Sequence, residues 1–270
     1  MALPPPAPSP SATGKEKIFL HRSYRKLAPV TVRTLITEGL LLALPFVLLI
    51  VLFYPQLTLA ISKLAYKILA IAVPLEHLGI AEVPSYISPL YGLVIPDRFP
   101  SVGFSMAVMG LSVLVTVLAW GGRQLAKPLG SWAVFICLIN FISAAFFVIM
   151  PEKFPYTGSM FSGLYLQTML TVWLLIPVVL ALSLLPMPGR RPGKFLLITV
   201  SMVYSILFGT VRFAFFMLVL YRYSLLFMPA MIFAVGPLLD FIFVVGFYSY
   251  YVSRVSLKIQ GSEKTWYWLY

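Results

Sequence analysis

Six long apolar runs, separated by short polar segments, dominate the pattern of this chain. A run of about 20 apolar residues is long enough to cross the hydrocarbon core of a bilayer as an α-helix. We therefore predict an all-α fold, a polytopic transmembrane bundle of about six spans. The predicted spans are residues 34–54, 104–120, 131–150, 164–185, 195–221 and 225–252.

The segment 57–79 is also apolar, but its polar positions set it apart. Lys63 and Lys67 are four residues apart and share one face of a helix. This pattern favours an amphipathic helix in the outer interface, with the lysine stems extended toward water. The next segment, 81–100, contains four prolines and predicts a loop. Residues 57–103 would thus form the outer element of the bundle. The apolar positions of the predicted interfacial helix are Leu57, Ile61, Leu64, Ile68 and Leu75.

The composition indicates that most of the surface of this fold faces lipid and not water. The chain is 60% hydrophobic and 10% charged, with a mean hydropathy of +0.95, whereas soluble proteins carry roughly 25% charged residues. The lipid bilayer is therefore the first predicted partner. A net charge of +12 could suggest nucleic acid, but the basic residues lie in the short segments between apolar runs. That distribution is typical of membrane topology signals, and we predict no nucleic-acid partner.

The basic residues also predict an orientation. With six spans and a cytoplasmic N-terminus, 14 of the 20 Lys and Arg residues fall on the cytoplasmic side, as the positive-inside rule requires. Counting 57–79 as a seventh span would invert every later loop. We therefore predict a multi-pass protein of the inner (plasma) membrane with both termini in the cytoplasm. Its parts are a disordered Pro-rich and then basic segment (1–33), the bundle (34–252) and a cytoplasmic tail (253–270).

Two charged residues lie at membrane depth, Arg212 in the fifth span and Asp240 in the sixth. Charges at that depth are costly, so each is a candidate functional residue. A very short turn joins the two spans, which predicts antiparallel neighbours and a buried ion pair. Two interpretations stay open. The pair is either a polar site, such as a substrate anchor, proton relay or partner contact, or a structural pair that docks the last two helices.

The sequence shows no common metal-binding, phosphate-binding or hydrolytic motif. His21 and His77 have no Cys, Asp or second His at metal-ligand spacing. The chain has neither a phosphate-binding glycine loop nor an HExxH motif. Its single cysteine, Cys137, lies inside an apolar run and predicts a buried structural thiol. We therefore predict no metal, no cofactor and no conventional enzyme.

Two short sequence motifs in the second half of the chain resemble those of a known membrane-protein family. They are MFSGLYLQ at 160–167 and GTVRFAFF at 209–216, separated by the basic turn GRRPGK. In this arrangement the chain resembles the exosortase/archaeosortase family of membrane transpeptidase-like proteins. That family has a CSGL-type cysteine, an NxxR-type arginine on the next span and a histidine on the last. Here Phe161 replaces the cysteine and Gly209 the asparagine, and the last span has no histidine, so only Arg212 matches the catalytic set. The resemblance implies a degenerate member or a companion of an active exosortase.

Three functional hypotheses follow. The first is a non-catalytic membrane protein that assists or scaffolds an exosortase-type sorting system or an envelope-export system, together with an integral-membrane partner. The second is a small transporter or channel subunit that uses Arg212 and Asp240. The third is a divergent intramembrane transpeptidase or protease with Arg212 and with Ser162 as nucleophile. A serine needs a base to react, and the sequence offers no obvious one.

Overall fold

The computed structural model describes residues 31–83, 89–121, 127–187 and 190–260. Most of the predicted N-terminal segment, which includes His21, lies outside the described residues. The end of the predicted C-terminal tail lies outside them as well. The described chain is almost entirely helical, with one two-stranded sheet. Its helices are α1 (Val32–Leu52), α2 (Tyr54–Leu69), α3 (Val102–Gly121), α4 (Lys127–Ile149), α5 (Gly158–Leu184), α6 (Arg191–Arg222) and α7 (Gly236–Gln260).

The prediction of an all-α bundle with six membrane-spanning helices is confirmed. Six helical segments in the described chain are long and apolar enough to cross a membrane: α1, α3, α4, α5, α6, and α7 with the turns before it. The protein is therefore a multi-pass membrane protein. Helix α5 begins at Gly158, six residues before the predicted start at 164. The earlier start follows from two caps, because Asp97 Oδ1 accepts the Gly158 N–H at 2.6 Å and Thr157 Oγ1 accepts that of Met160.

The last span does not begin as a regular α-helix. Residues 225–235 form a 3₁₀ turn, a short α-helical turn and the π-helix Met231–Val235. Two prolines, Pro229 and Pro237, lie in and just after this stretch. A proline has no N–H to donate to the preceding turn, which favours irregular helical geometry here. Regular α-helix resumes at Gly236.

The segment that was predicted to be a loop contains a β-hairpin. Strand β1 (Gly79–Val83) pairs antiparallel with β2 (Leu90–Val94), so that Gly79 lies opposite Val94 and Val83 opposite Leu90. The prolines that predicted a loop flank β2 instead of interrupting it, since Pro89 precedes it and Pro96 follows it. A proline at a strand end costs no ladder hydrogen bond. The hairpin packs on α2 and on the start of α5.

Helix α2 exposes Lys63 and Lys67 on one face, as the lysine spacing predicts. The face of α2 that is buried against the rest of the protein includes the predicted apolar residue Ile61 and the small polar residues Thr58 and Ser62. These small side chains let the hairpin approach closely, and Ser62 Oγ donates to the Tyr91 carbonyl at 2.6 Å. Leu64, which was predicted to be on the apolar face, is 43% exposed.

Helices α5 and α6 form the centre of the bundle. Their facing side chains, which include Trp173, Ile198 and Phe213, are fully buried. Gly209 lets the two helices approach, because a Cβ at this position would lie 3.0 Å from both the Met169 sulfur and the Trp173 ring. Helix α1 packs along α5, whereas α3 packs chiefly on α4.

Candidate functional site

The β-hairpin packs on residues 161–164 (FSGL) at the start of α5, and we call these residues the hairpin seat. Ser162 Oγ accepts the Leu93 N–H of β2 at 2.7 Å. A Cβ at Gly163 would lie 2.6 Å from Cγ1 of Val83 in β1, closer than two carbon atoms can approach. A side chain larger than hydrogen at Gly163 would therefore push the hairpin away. Ser162 and Gly163 therefore both contribute to the packing of the hairpin on α5.

Ser162, the candidate nucleophile, is fully buried beneath this hairpin. The hydrogen bond that the structure gives its hydroxyl oxygen comes from a backbone amide. Within the described chain, no His, Asp, Glu or Lys side chain hydrogen-bonds to it. A serine becomes nucleophilic through an adjacent base, so this geometry favours a packing residue. The structure does not bring Ser162 into hydrogen-bond contact with Arg212 or Asp240.

The segment after β2 continues across the same end of the bundle and joins three elements. Asp97 caps the N-terminus of α5 through Gly158, where a carboxylate also complements the helix dipole. The next residue, Arg98, donates to the Arg222 carbonyl at 2.9 Å, and its own carbonyl accepts the Leu225 N–H. The turn between α6 and α7 is therefore tied to the start of α5.

Arg212 and Asp240 form an ion pair inside the bundle. Arg212 Nη2 lies 2.9 Å from Asp240 Oδ2, and Arg212 Nη1 donates to the Gly236 carbonyl at 2.9 Å. Both residues are buried, with exposures of 4% and 6%. Gly236 and Asp240 are one helical turn apart, so both face α6. The π-helix immediately before Gly236 sets where this face of α7 begins; such π turns are frequent at functional sites.

Aromatic rings enclose the guanidinium. Arg212 Cζ lies 5.8 Å from the ring centre of Tyr165 and 5.9 Å from that of Phe208. The Tyr165 ring is itself stacked between Phe161 and Phe213, nearly parallel to both, with centroid distances of 5.8 Å. Cation–π attraction supports a buried guanidinium in this setting. The rings also exclude bulk water, which strengthens the electrostatic attraction of the ion pair.

The ion pair retains unused hydrogen-bonding capacity. Arg212 Nε and Asp240 Oδ1 are buried and have no hydrogen-bond partner among the described residues. The buried Trp173 Nε1 and Ser205 Oγ, on the facing helices α5 and α6, also lack one. Buried polar atoms of this kind are usually satisfied by internal water or a ligand. The site therefore combines a fixed charge pair with several buried polar atoms that remain unpaired among the described residues.

A second charged cluster lies at the opposite end of α6, and the sequence did not reveal it. Arg191 Nη2 lies 2.8 Å from Glu38 Oε1 of α1. Lys194, one helical turn later, is buried with its Nζ 3.4 Å from the Leu185 carbonyl at the C-terminus of α5. A cation at this position complements the helix dipole. The signals in the sequence are Glu38, the one acidic residue in the first predicted span, and the basic turn that contains Arg191 and Lys194.

The described residues contain no group of three or more His, Cys, Asp or Glu side chains that could hold a metal ion. Cys137 is buried in α4. Of the predicted site residues, the structure brings Arg212 and Asp240 together and places Ser162 in the hairpin seat. Comparison of the chain with protein-family models, with curated proteins and with solved structures gives no match.

Proposed function

We propose that this protein is a non-catalytic inner-membrane protein that assists or scaffolds a membrane-bound sorting system of the exosortase type or an envelope-export system. The proposal rests mainly on the burial of position 161, where the resemblance would place a nucleophile. Phe161 is fully buried there and stacks on Tyr165. A phenyl ring offers neither a nucleophile nor a proton to a substrate.

The environment of Arg212 supports the same proposal. A catalytic arginine must present its donors to a substrate or a developing charge. Here both terminal nitrogens of Arg212 are engaged by Asp240 and Gly236, and aromatic rings cover the guanidinium. The arginine therefore stabilises the docking of α7 on α6. A companion role leaves sorting chemistry to a partner, which we propose is an integral-membrane protein.

The proposal includes an orientation. The end of the bundle that holds Arg191, Lys194 and Arg254 would face the cytoplasm, and the β-hairpin would face outward. Support comes from the excess of Lys and Arg on that side in the sequence. The cytoplasmic face would also hold both termini.

Two measurements in the native host test the assisting role. A tagged copy, purified in mild detergent after brief cross-linking, is expected to recover one integral-membrane sorting or export component in a near-constant ratio. In a strain that lacks this protein, Ser162→Ala is expected to restore the processing of sorted proteins as well as the natural sequence does, once both are normalised to folded protein. Thr168→Ala, which removes a hydroxyl from the exposed face of α5, is the matched control. Loss of processing with Ser162→Ala alone would favour an enzyme.

A transporter or channel subunit is the second candidate, and the unused polar atoms around Arg212 and Asp240 favour it. A pathway would run past these atoms between α5, α6 and α7. It predicts that Asp240→Asn, which keeps the shape but removes the charge, abolishes ion or solute flux in proteoliposomes. Glu152→Gln, an exposed change between α4 and α5, is the control. Undiminished flux in Asp240→Asn would rule this candidate out.

A further inference from the structure

A groove opens between α6 and α7 at the end of the bundle opposite the β-hairpin. The two helices meet at the Arg212–Asp240 pair. Farther along, aromatic side chains bridge them, because the Tyr204 ring lies 5.1 Å from Phe243 and 5.3 Å from Phe247. Beyond these rings the groove has a volume of about 1590 Å³. Pockets for small molecules usually measure about 300–1,000 Å³, so this groove suits a larger, elongated occupant.

Two glycines give the groove its depth. Gly193 lies on the α6 wall and Gly246 on the α7 wall. A Cβ at Gly246 would meet no atom within 4 Å, and one at Gly193 would come no closer than 3.7 Å to Tyr251. The space beside them is therefore open and not filled by neighbouring side chains. The remaining wall is mostly aliphatic and aromatic, with residues such as Leu196 and Ile242.

Two arginines flank the mouth of the groove. Arg190 at the start of α6 and Arg254 near the end of α7 are both exposed, and the described residues that line the groove include no acidic one. Neither arginine forms an ion pair within the described chain, in contrast to the neighbouring Arg191, which pairs with Glu38. Arg254 is held in place by Tyr250, because its Nε donates to the tyrosine hydroxyl at 3.0 Å. The mouth therefore has two positive charges that no acidic side chain of the described chain compensates.

We propose that this groove binds one anionic glycerophospholipid. Its acyl chains would lie along the apolar walls, beside Gly193 and Gly246, and its phosphate would lie between Arg190 and Arg254. The guanidinium group suits this role because its planar donors match phosphate oxygens. Basic pockets between membrane helices bind anionic headgroups in this way. The lipid site does not depend on the assisting role proposed above, since it follows from the groove alone.

Native mass spectrometry of the detergent-solubilised full-length protein tests the headgroup. The protein is titrated with phosphatidylglycerol and, separately, with phosphatidylcholine of the same acyl chains. We expect phosphatidylglycerol to bind on the order of tenfold more tightly, and Arg190→Gln with Arg254→Gln to remove that preference. Lys63→Gln with Lys67→Gln, an equal loss of charge on the exposed face of α2, should leave it intact. Equal binding of the two lipids by the natural protein, or an equal loss in the α2 control, would overturn the proposal.

A steric variant tests the acyl-chain part of the groove. Gly246→Leu fills open space without a backbone clash and should reduce phosphatidylglycerol binding at least severalfold. Gly110→Leu on α3, where a Cβ also meets nothing within 4 Å, should leave binding unchanged, and the thermal unfolding midpoints of the two variants should match.

Competition with inorganic phosphate separates a lipid site from an anion site. A millimolar excess of inorganic phosphate should not displace the lipid. Full displacement by phosphate would reveal a simple anion site. A co-purified polypeptide that Gly246→Leu releases, with lipid binding unchanged, would identify the groove as a helix-docking surface instead.

Discussion

Arg212 and Asp240 are 28 residues apart in sequence, yet their side chains meet 2.9 Å apart in the interior of the bundle. The contact joins α6 to α7 close to the π-helix, where the last span begins irregularly. Because Arg212 also binds the Gly236 carbonyl, one side chain holds both a carboxylate and the first turn of α7. Docking of the last helix therefore depends on this arginine.

Removal of either charge should destabilise the bundle more than removal of both. Arg212→Met or Asp240→Leu leaves an uncompensated buried charge, which typically costs 3–5 kcal/mol, whereas an apolar replacement of a whole buried pair is often close to neutral. We expect each single variant to lower the free energy of unfolding by roughly 3 kcal/mol and the double variant to lower it by less than either single variant. The measurement is equilibrium unfolding in detergent.

The pair of Glu38 and Arg191, in which the glutamate side chain is 19% exposed and the arginine largely exposed, provides the control for this experiment. Glu38→Gln breaks an ion pair whose arginine side chain is 67% exposed, and exposed pairs contribute about 0–1 kcal/mol. Its effect should therefore be small. Additive effects of the Arg212 and Asp240 changes would contradict the conclusion that the two charges act as one unit.

The seat of the β-hairpin provides a second prediction. Gly163→Val should displace the hairpin, because a Cβ at this position would overlap Cγ1 of Val83. Overpacking of this kind usually costs 1–3 kcal/mol. We expect faster hydrogen exchange at the Leu93 amide, which is bonded to the adjacent Ser162. The second change Val83→Ala should restore slow exchange.

Gly110→Val serves as the comparison, since α3 has open space at that position. It introduces the same side chain into another membrane helix and should leave the exchange of Leu93 unchanged. Slow exchange in Gly163→Val without the rescuing change would show that the hairpin adapts to a larger residue.

The membrane-spanning helices follow from the sequence because bilayer thickness imposes both their length and their hydropathy. The charge pair could be anticipated too, since a charged residue at membrane depth needs a partner. The hairpin could not, because each strand has only five residues and prolines lie on both sides of β2. The bond between Ser162 and Leu93 spans 69 positions, and no local spacing encodes such a contact. Glycines are frequent in membrane helices, so Gly193 and Gly246 did not indicate a groove.

The predicted orientation can be tested with single cysteines in a Cys137→Ala background. Lys63→Cys on α2 and Arg254→Cys on α7 both replace exposed residues at opposite ends of the bundle. In intact cells, a membrane-impermeant maleimide should label Lys63→Cys only, because the positive-inside rule predicts a cytoplasmic Arg254. Permeabilised cells should show both labelled. Labelling of Arg254→Cys alone in intact cells would reverse the proposed orientation.

A thiol at position 161 should be far less reactive than a thiol on the surface, although the resemblance would place a nucleophile there. In the Cys137→Ala background, Phe161→Cys places its sulfur in a position that is fully buried and next to the stacked ring of Tyr165. We expect maleimide to label it at least tenfold more slowly than Lys63→Cys, because the folded chain must open before the reagent can enter. Mild denaturant should bring the two rates together. Equal rates in the native state would show an open site at this position and would contradict the non-catalytic proposal.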